Sequence, residues 1–147
     1  MRGRCVKRRN VVSVRGVALL LMPFLASWVQ DGLSEAAHRA REAWLRHDMA
    51  ALVAASDTVR LQLPGVPRSA ALEPGQAARL LSRYVGSARE VELELRGLRR
   101  VAEDHGYAQT ERRFVIEGTA DERRETVFIG FRFVAGEWRV REVRVVR

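Results

Sequence analysis

Cysteine and lysine are all but absent: Cys5 and Lys7 are the only ones among 147 residues. Beyond them the chain can form neither an internal disulfide nor a thiolate metal site. Positive charge rests on arginine, a bias that fits GC-rich coding better than a function. Histidine is scarce too. His38, His47 and His105 are scattered, and the first two are too far apart to share one helical face as ligands. No His-Glu-x-x-His pattern, carboxylate cluster or cysteine pair argues for a metal. Neither a Gly-x-Ser-x-Gly elbow, a phosphate loop nor a nucleotide fingerprint occurs, so no cofactor is implied. Internal repeats and low-complexity tracts are missing. So is any apolar run of the ~20 residues that a membrane-spanning helix needs.

The first fifteen residues hold Arg2, Arg4, Lys7, Arg8, Arg9 and Arg15 and no acid, and an apolar run over 17–26 follows. A basic stretch followed by a short apolar one, interrupted by Pro23, reads as an export signal over residues 1–30. The expected location is periplasmic or secreted. Cutting after Ala26 would place Phe24 at the third position back, a poor fit to signal cleavage, so an uncleaved inner-membrane anchor is the alternative. Cys5 precedes the apolar run and is not a lipid-attachment cysteine. Arg8-Arg9-Asn10-Val11-Val12 has the look of a twin-arginine signal. Translation from Met22 would remove the export argument altogether. The leader also relocates the charge. The whole chain has 26 basic and 18 acidic residues; without the leader's six bases the rest is 20 against 18. Arg pairs at 99–100, 112–113 and 123–124 are interleaved with Glu103, Glu111, Glu122 and Glu125. A near-neutral, mixed surface attracts phosphate weakly, so no nucleic-acid partner is expected.

Residues 31–147 are enough for one domain with a real core. Ser34 is the expected N-cap of a first helix with Leu33, Ala37, Ala40 and Trp44 on its apolar face. Asp48 can cap a short helix over 49–55, and a strand over 58–63 follows. Pro64-Gly65-Val66-Pro67-Arg68 is turn material. A third helix runs from Pro74 to Val85 and stops at Gly86. From Arg89 the period becomes two: Glu90, Glu92 and Glu94 alternate with Val91, Leu93 and Leu95, acids to water and aliphatics inward. Strands over 107–119, 125–134 and 138–146 complete the chain. Short connections make these strands antiparallel neighbours. The fold class is α+β, with three helices packed on a strongly curved antiparallel sheet.

Turns suggest the register. Pairing Val134 with Glu137 and Thr119 with Arg124 gathers Phe114, Ile116, Ile129, Phe131, Phe133, Trp138 and Val140 on one face. Arg112 and Glu142 fall on that face as well, although a bulge near Arg141 would turn Glu142 outward. Glu111 falls opposite Arg132 on the other face. Phe128, Val134, Val143 and Val145 are also placed there, among Arg113, Arg132, Arg139 and Arg141.

Several stretches carry a resemblance. They are Asp48-Met49-Ala50-Ala51-Leu52, Leu61-Gln62-Leu63-Pro64-Gly65, Gln76-Ala77-Ala78-Arg79-Leu80-Leu81 and the terminal Gly136-Glu137-Trp138-Arg139-Val140-Arg141-Glu142-Val143-Arg144-Val145. With the element order, they resemble the nuclear transport factor 2-like superfamily, and within it small exported bacterial domains of unknown function. The resemblance implies a cone, in which a bent sheet wraps the first helix and encloses a pocket. It supports fold more than activity.

Three functions follow from it. The first is a non-catalytic exported domain. Its cone would bind a small apolar ligand among Trp44, Tyr84, Arg112, Phe114, Phe131 and Trp138. Its outer face, with Phe128, Arg132, Val134, Arg141, Val143 and Val145, would dock a partner or a second copy. The second is an isomerase, dehydratase or cyclase that uses a pocket carboxylate, for which Glu142 is the candidate. There a hydroxyl would come from Tyr84 or Tyr107, each of which reads equally as a rim or core aromatic. The third is an envelope accessory held by an uncleaved leader, its one membrane contact.

Overall fold

A computed structural model of the chain describes residues 24–147, with side chains from residue 32. The basic stretch and most of the apolar run of the expected leader lie outside these residues, with Cys5 and the paired arginines. No helix among the described residues is long and apolar enough to cross a membrane.

Helices α1 (Phe24–Leu45) and α2 (Met49–Val53) come first, then a short strand β1 (Arg60–Gln62) and helix α3 (Pro74–Val85). Strands β2 (Ala88–Ala102), β3 (His105–Ile116), β4 (Glu122–Val134) and β5 (Glu137–Val146) complete the chain. Ser34 is not the N-cap of the first helix: α1 has begun at Phe24 and runs through it. Asp48 does cap α2, accepting a hydrogen bond from the Ala51 amide at 2.9 Å. Pro74 opens α3, where a missing amide hydrogen costs nothing.

The five strands form one sheet in the order β1-β5-β4-β3-β2. Expected as wholly antiparallel, it is mixed. β1 lies parallel to β5, with Leu61 opposite Val143. No short turn joins these two strands, so the antiparallel rule for neighbours does not bind them. The β4–β5 hairpin has the expected register, Val134 opposite Glu137. Its two-residue turn has positive φ at both Ala135 (51°) and Gly136 (84°). That twist matches the flanking strands. The β3–β4 register differs from the expected one, because Val115 pairs with Glu122. The slip is an even number of residues, so every side chain keeps its face. Glu111 therefore faces Thr126 rather than Arg132.

Bulges bend the sheet. β2 carries three irregularities against β3, at Val91, Arg96 and Val101, and β5 carries one against β4 at Arg141. Each inserts an unpaired residue, increases the local twist and exchanges faces beyond it. The concave side closes over α1. Ala36, Ala37, Ala40 and Ala43 let that helix approach closely, and Trp44 anchors its end with no exposed surface. Gly106 marks the tightest contact: a Cβ there would meet Leu33 Cδ2 at 2.6 Å. Opposite Leu33 and Trp44 stand Leu93, Ala108, Val127, Ile129, Phe131, Val140, Val143 and Val145, all buried.

Candidate functional site

Two features stand out: a charge cluster sealed inside the cone, and an apolar groove beside it. The cluster centres on Arg112, whose side chain is 1% exposed. Its guanidinium grips Glu90 with Nε 3.0 Å from Oε2 and Nη2 2.5 Å from Oε1. On the other side Nη1 donates to Glu125 Oε2 at 2.9 Å. The Tyr84 hydroxyl donates to the same oxygen at 2.7 Å. Arg147 Nε reaches Glu125 Oε1 at 3.3 Å, and His47 Nε2 lies 3.3 Å from Glu90 Oε1. Rings enclose the cation: the guanidinium carbon is 4.0 Å from the Phe114 centroid, 5.4 Å from Trp44 and 5.6 Å from Tyr84. Contacts of this kind stabilise a buried cation that water no longer reaches. The Trp44 indole N–H has no partner among the described residues.

Bulges explain why these groups meet. In a regular strand Glu90 would share a face with Glu92 and Glu94, in water. Val91 is the extra residue, so Glu90 turns inward opposite Phe114 while Glu92 stays outside with Arg113. The expectation that Glu90 faces solvent is thereby corrected; its side chain is 4% exposed. Glu125 follows ordinary alternation, on the same face as Val127 and Ile129.

Electrostatics keeps the proton on two members of the cluster, Arg112 and Tyr84. Burial works against the charge on Arg112, but the hydrogen bond and field of Glu90, then the field of Glu125, outweigh it. Its pKa lies above the ordinary guanidinium value. Burial, and then the hydrogen bond to Glu125, push the Tyr84 phenol well above its usual range. The sign of the resulting pH dependence follows. The unfolded phenol ionises near pH ~10 while the folded one keeps its proton, so stability is intact below ~10 and falls as pH rises beyond it. Tyr84→Phe is expected to flatten that fall; urea melts on either side of pH ~10 check it, and equal falls in both proteins would contradict it.

The chemical consequence is restrictive. A carboxylate base needs a free lone pair aimed at a substrate. Both oxygens of Glu90 and of Glu125 already accept from Arg112, Tyr84, Arg147 or His47. Each of the four carboxylate oxygens is thus engaged by at least one cation or hydroxyl.

The expected site residues divide. Trp44, Tyr84, Arg112 and Phe114 meet at this end of the cone. Phe131 and Trp138 lie at the other, where Trp138 packs on Phe133 with centroids 5.2 Å apart. Glu142 is not inside the cone at all. The bulge at Arg141 puts it on the outer face, opposite Gly130 and ion-paired to Arg68 at 2.9 Å. Gly130 leaves room for it, since a Cβ there would sit 3.3 Å from Glu142 Cβ. The same bulge turns Val143 and Val145, expected on the outer face, into the core, where both are buried. Phe128, Arg132 and Val134 do lie outside. Phe128 meets Tyr107 edge-on at 6.5 Å and the Arg144 guanidinium at 4.5 Å, and Arg132 pairs with Asp104 at 3.5 Å. Arg141 bonds the hydroxyl and carbonyl of Thr58 rather than standing free on that face. With two valines turned inward, Phe128 and Val134 are what remains outside of the four apolar residues expected there. Among the described residues no group of His, Cys, Asp and Glu is placed to hold a metal ion.

The groove lies between β1, the turn after it and α3. Leu61, Leu63, Val66, Pro67, Ser69, Leu80, Arg83 and Tyr84 line a volume of about 360 Å³. Leu80, Arg83 and Tyr84 recur at helical spacing along one side of α3. Val66 and Leu80 are 60% and 39% exposed, two of the few large apolar side chains left open to water. Tyr84 joins the two features, its ring lining the groove and its hydroxyl held by Glu125. The sequence carries a signal for the groove in Leu61, Leu63 and the Pro-Gly turn, but a short edge strand reads equally well from it.

Solved structures of other proteins share this architecture. A ketosteroid isomerase-like protein from Erwinia carotovora superposes with a TM-score of 0.64 at 19% identity, covering 78% of this chain and 92% of the other. A nuclear transport factor 2-like protein of unknown function from Shewanella oneidensis gives 0.58 at 10% identity, covering 79% and 97%. A protein with a ketosteroid isomerase-like fold from Catenulispora acidiphila, solved with trimethylamine, gives 0.59 at 15% identity, covering 77% and 85%. No family model and no curated protein sequence matches the chain. The fold is nuclear transport factor 2-like. At these identities the likeness extends to the fold alone.

Proposed function

We propose that this chain is a non-catalytic binding domain that takes a small apolar ligand in the groove between β1 and α3. The observation that carries the reading is a contrast between two neighbours. The interior that would serve as a reaction chamber is filled by Arg112 and its partners, and every oxygen of the two carboxylates already accepts a hydrogen bond. The adjacent groove is open, apolar and, at about 360 Å³, within the ~300–1,000 Å³ of small-molecule sites. That a protein of the same fold holds trimethylamine is consistent with ligand binding on this scaffold. The N-terminal pattern adds export to the proposal: binding would take place in the periplasm or outside the cell.

A neutral fluorescent probe such as N-phenylnaphthylamine tests it. The purified protein is expected to bind the probe saturably. Leu80→Glu, which sets a charge in the groove, is expected to weaken binding about ten-fold or more while circular dichroism stays unchanged. Binding untouched by Leu80→Glu would overturn the assignment.

A further inference from the structure

The groove has one polar group to spare. Ser69 is spent, its Oγ accepting from the Leu61 amide at 2.9 Å and donating to the Ala70 carbonyl at 2.7 Å. Tyr84 is spent on Glu125. Arg83 is different. It is exposed, and no acid lies within ion-pairing distance of it among the described residues. No acid lines the groove either. An apolar trough with a single unpaired guanidinium at its edge is complementary to one kind of molecule, an apolar body ending in an anion. A planar guanidinium suits a carboxylate in particular, which it can grip through two parallel hydrogen bonds.

From this we infer that the ligand is a free single-chain carboxylate, its chain against Leu61, Leu63 and Leu80 and its head on Arg83. A bounded volume of about 360 Å³ fits one chain rather than a membrane surface. The inference rests on the proposed ligand groove and adds the chemistry of its occupant. Arg83 also sits in the last turn of α3, where a cation favours the helix. That role predicts an effect on stability and none on ligand choice, so the two are separable.

The test uses decanoate, decanol and decyltrimethylammonium as competitors of the neutral probe, each below its micelle concentration. Decanoate is expected to bind about five-fold more tightly than decanol, and decyltrimethylammonium more weakly than either. Arg83→Gln is expected to remove the preference and leave decanol unchanged. Arg79→Gln, on the same helix but outside the groove, is expected to preserve it. Equal binding of decanoate and decanol overturns the inference while leaving the apolar groove standing. Equal loss in both arginine variants would assign the preference to general charge and also overturn it. If no competitor displaces a probe that Leu80→Glu weakens, the carboxylate inference falls and the groove stands; if Leu80→Glu leaves the probe bound as before, both readings fall.

Discussion

Arg112→Met is expected to cost the domain about 3–5 kcal/mol and to lower its melting temperature by roughly 10–20 °C. The change nearly conserves volume, so the loss is not chiefly one of packing. It leaves Glu90 and Glu125 facing each other's charge without the cation between them, at 4% and 2% exposure. Removing one partner of a buried ion pair is far more costly than never having had the pair. The triple variant Arg112→Met with Glu90→Gln and Glu125→Gln should therefore recover at least half of the loss, because the charges go together. Differential scanning calorimetry of the three proteins decides. A single variant melting within ~2 °C of the parent would show that Arg112 does not hold the interior together.

Val143→Asp and Glu142→Ala form the second pair, neighbours in sequence with opposite expected outcomes. Val143 has no exposed surface and packs in the core opposite Ile129. A carboxylate there has no partner, and the substitution is expected to cost about 4 kcal/mol or more, a large share of the ~5–15 kcal/mol that holds a domain folded. Glu142 is half-exposed on the outer face with one ion pair to Arg68. Its removal is expected to cost less than ~1 kcal/mol. Reversal of that order by chemical denaturation would mean that β5 has no bulge at Arg141 and that Glu142 points inward after all.

These neighbours show where the sequence is legible and where it is not. The β4–β5 hairpin could be placed from Ala135-Gly136, because a two-residue turn fixes register. Asp48 and Pro74 announced their helices through chemistry local to each cap. Arg112 and Phe114 could be assigned to the inner face because alternation survives an even slip in register, and Trp44 because helical spacing sets it on the apolar side of α1. Bulges are another matter. An extra residue at Val91 or Arg141 leaves no mark on composition, yet it reverses the face of everything beyond it. Glu90 looked like one of three solvent-facing acids, and Glu142 like the one acid within. The structure exchanges their places. Glu125 was readable in principle, since it shares its face with Val127 and Ile129. It stood at the first position of the expected strand, where alternation has no preceding residue to lean on. The groove was hidden for a different reason. It forms between elements far apart in sequence, β1 and α3, and no periodicity within either one reports that they leave a gap.

Nuclear magnetic resonance titration of the isotope-labelled protein with decanoate reports where binding happens without presuming a site. The shifted amides are expected to cluster at Leu61, Leu63, Val66, Ser69, Leu80 and Arg83. The amides of Glu90, Arg112 and Glu125 should move little, since the cluster they serve is already closed. Shifts centred on those three residues would mean that the cone opens to a ligand and that its carboxylates are available for chemistry, and the non-catalytic reading would be wrong.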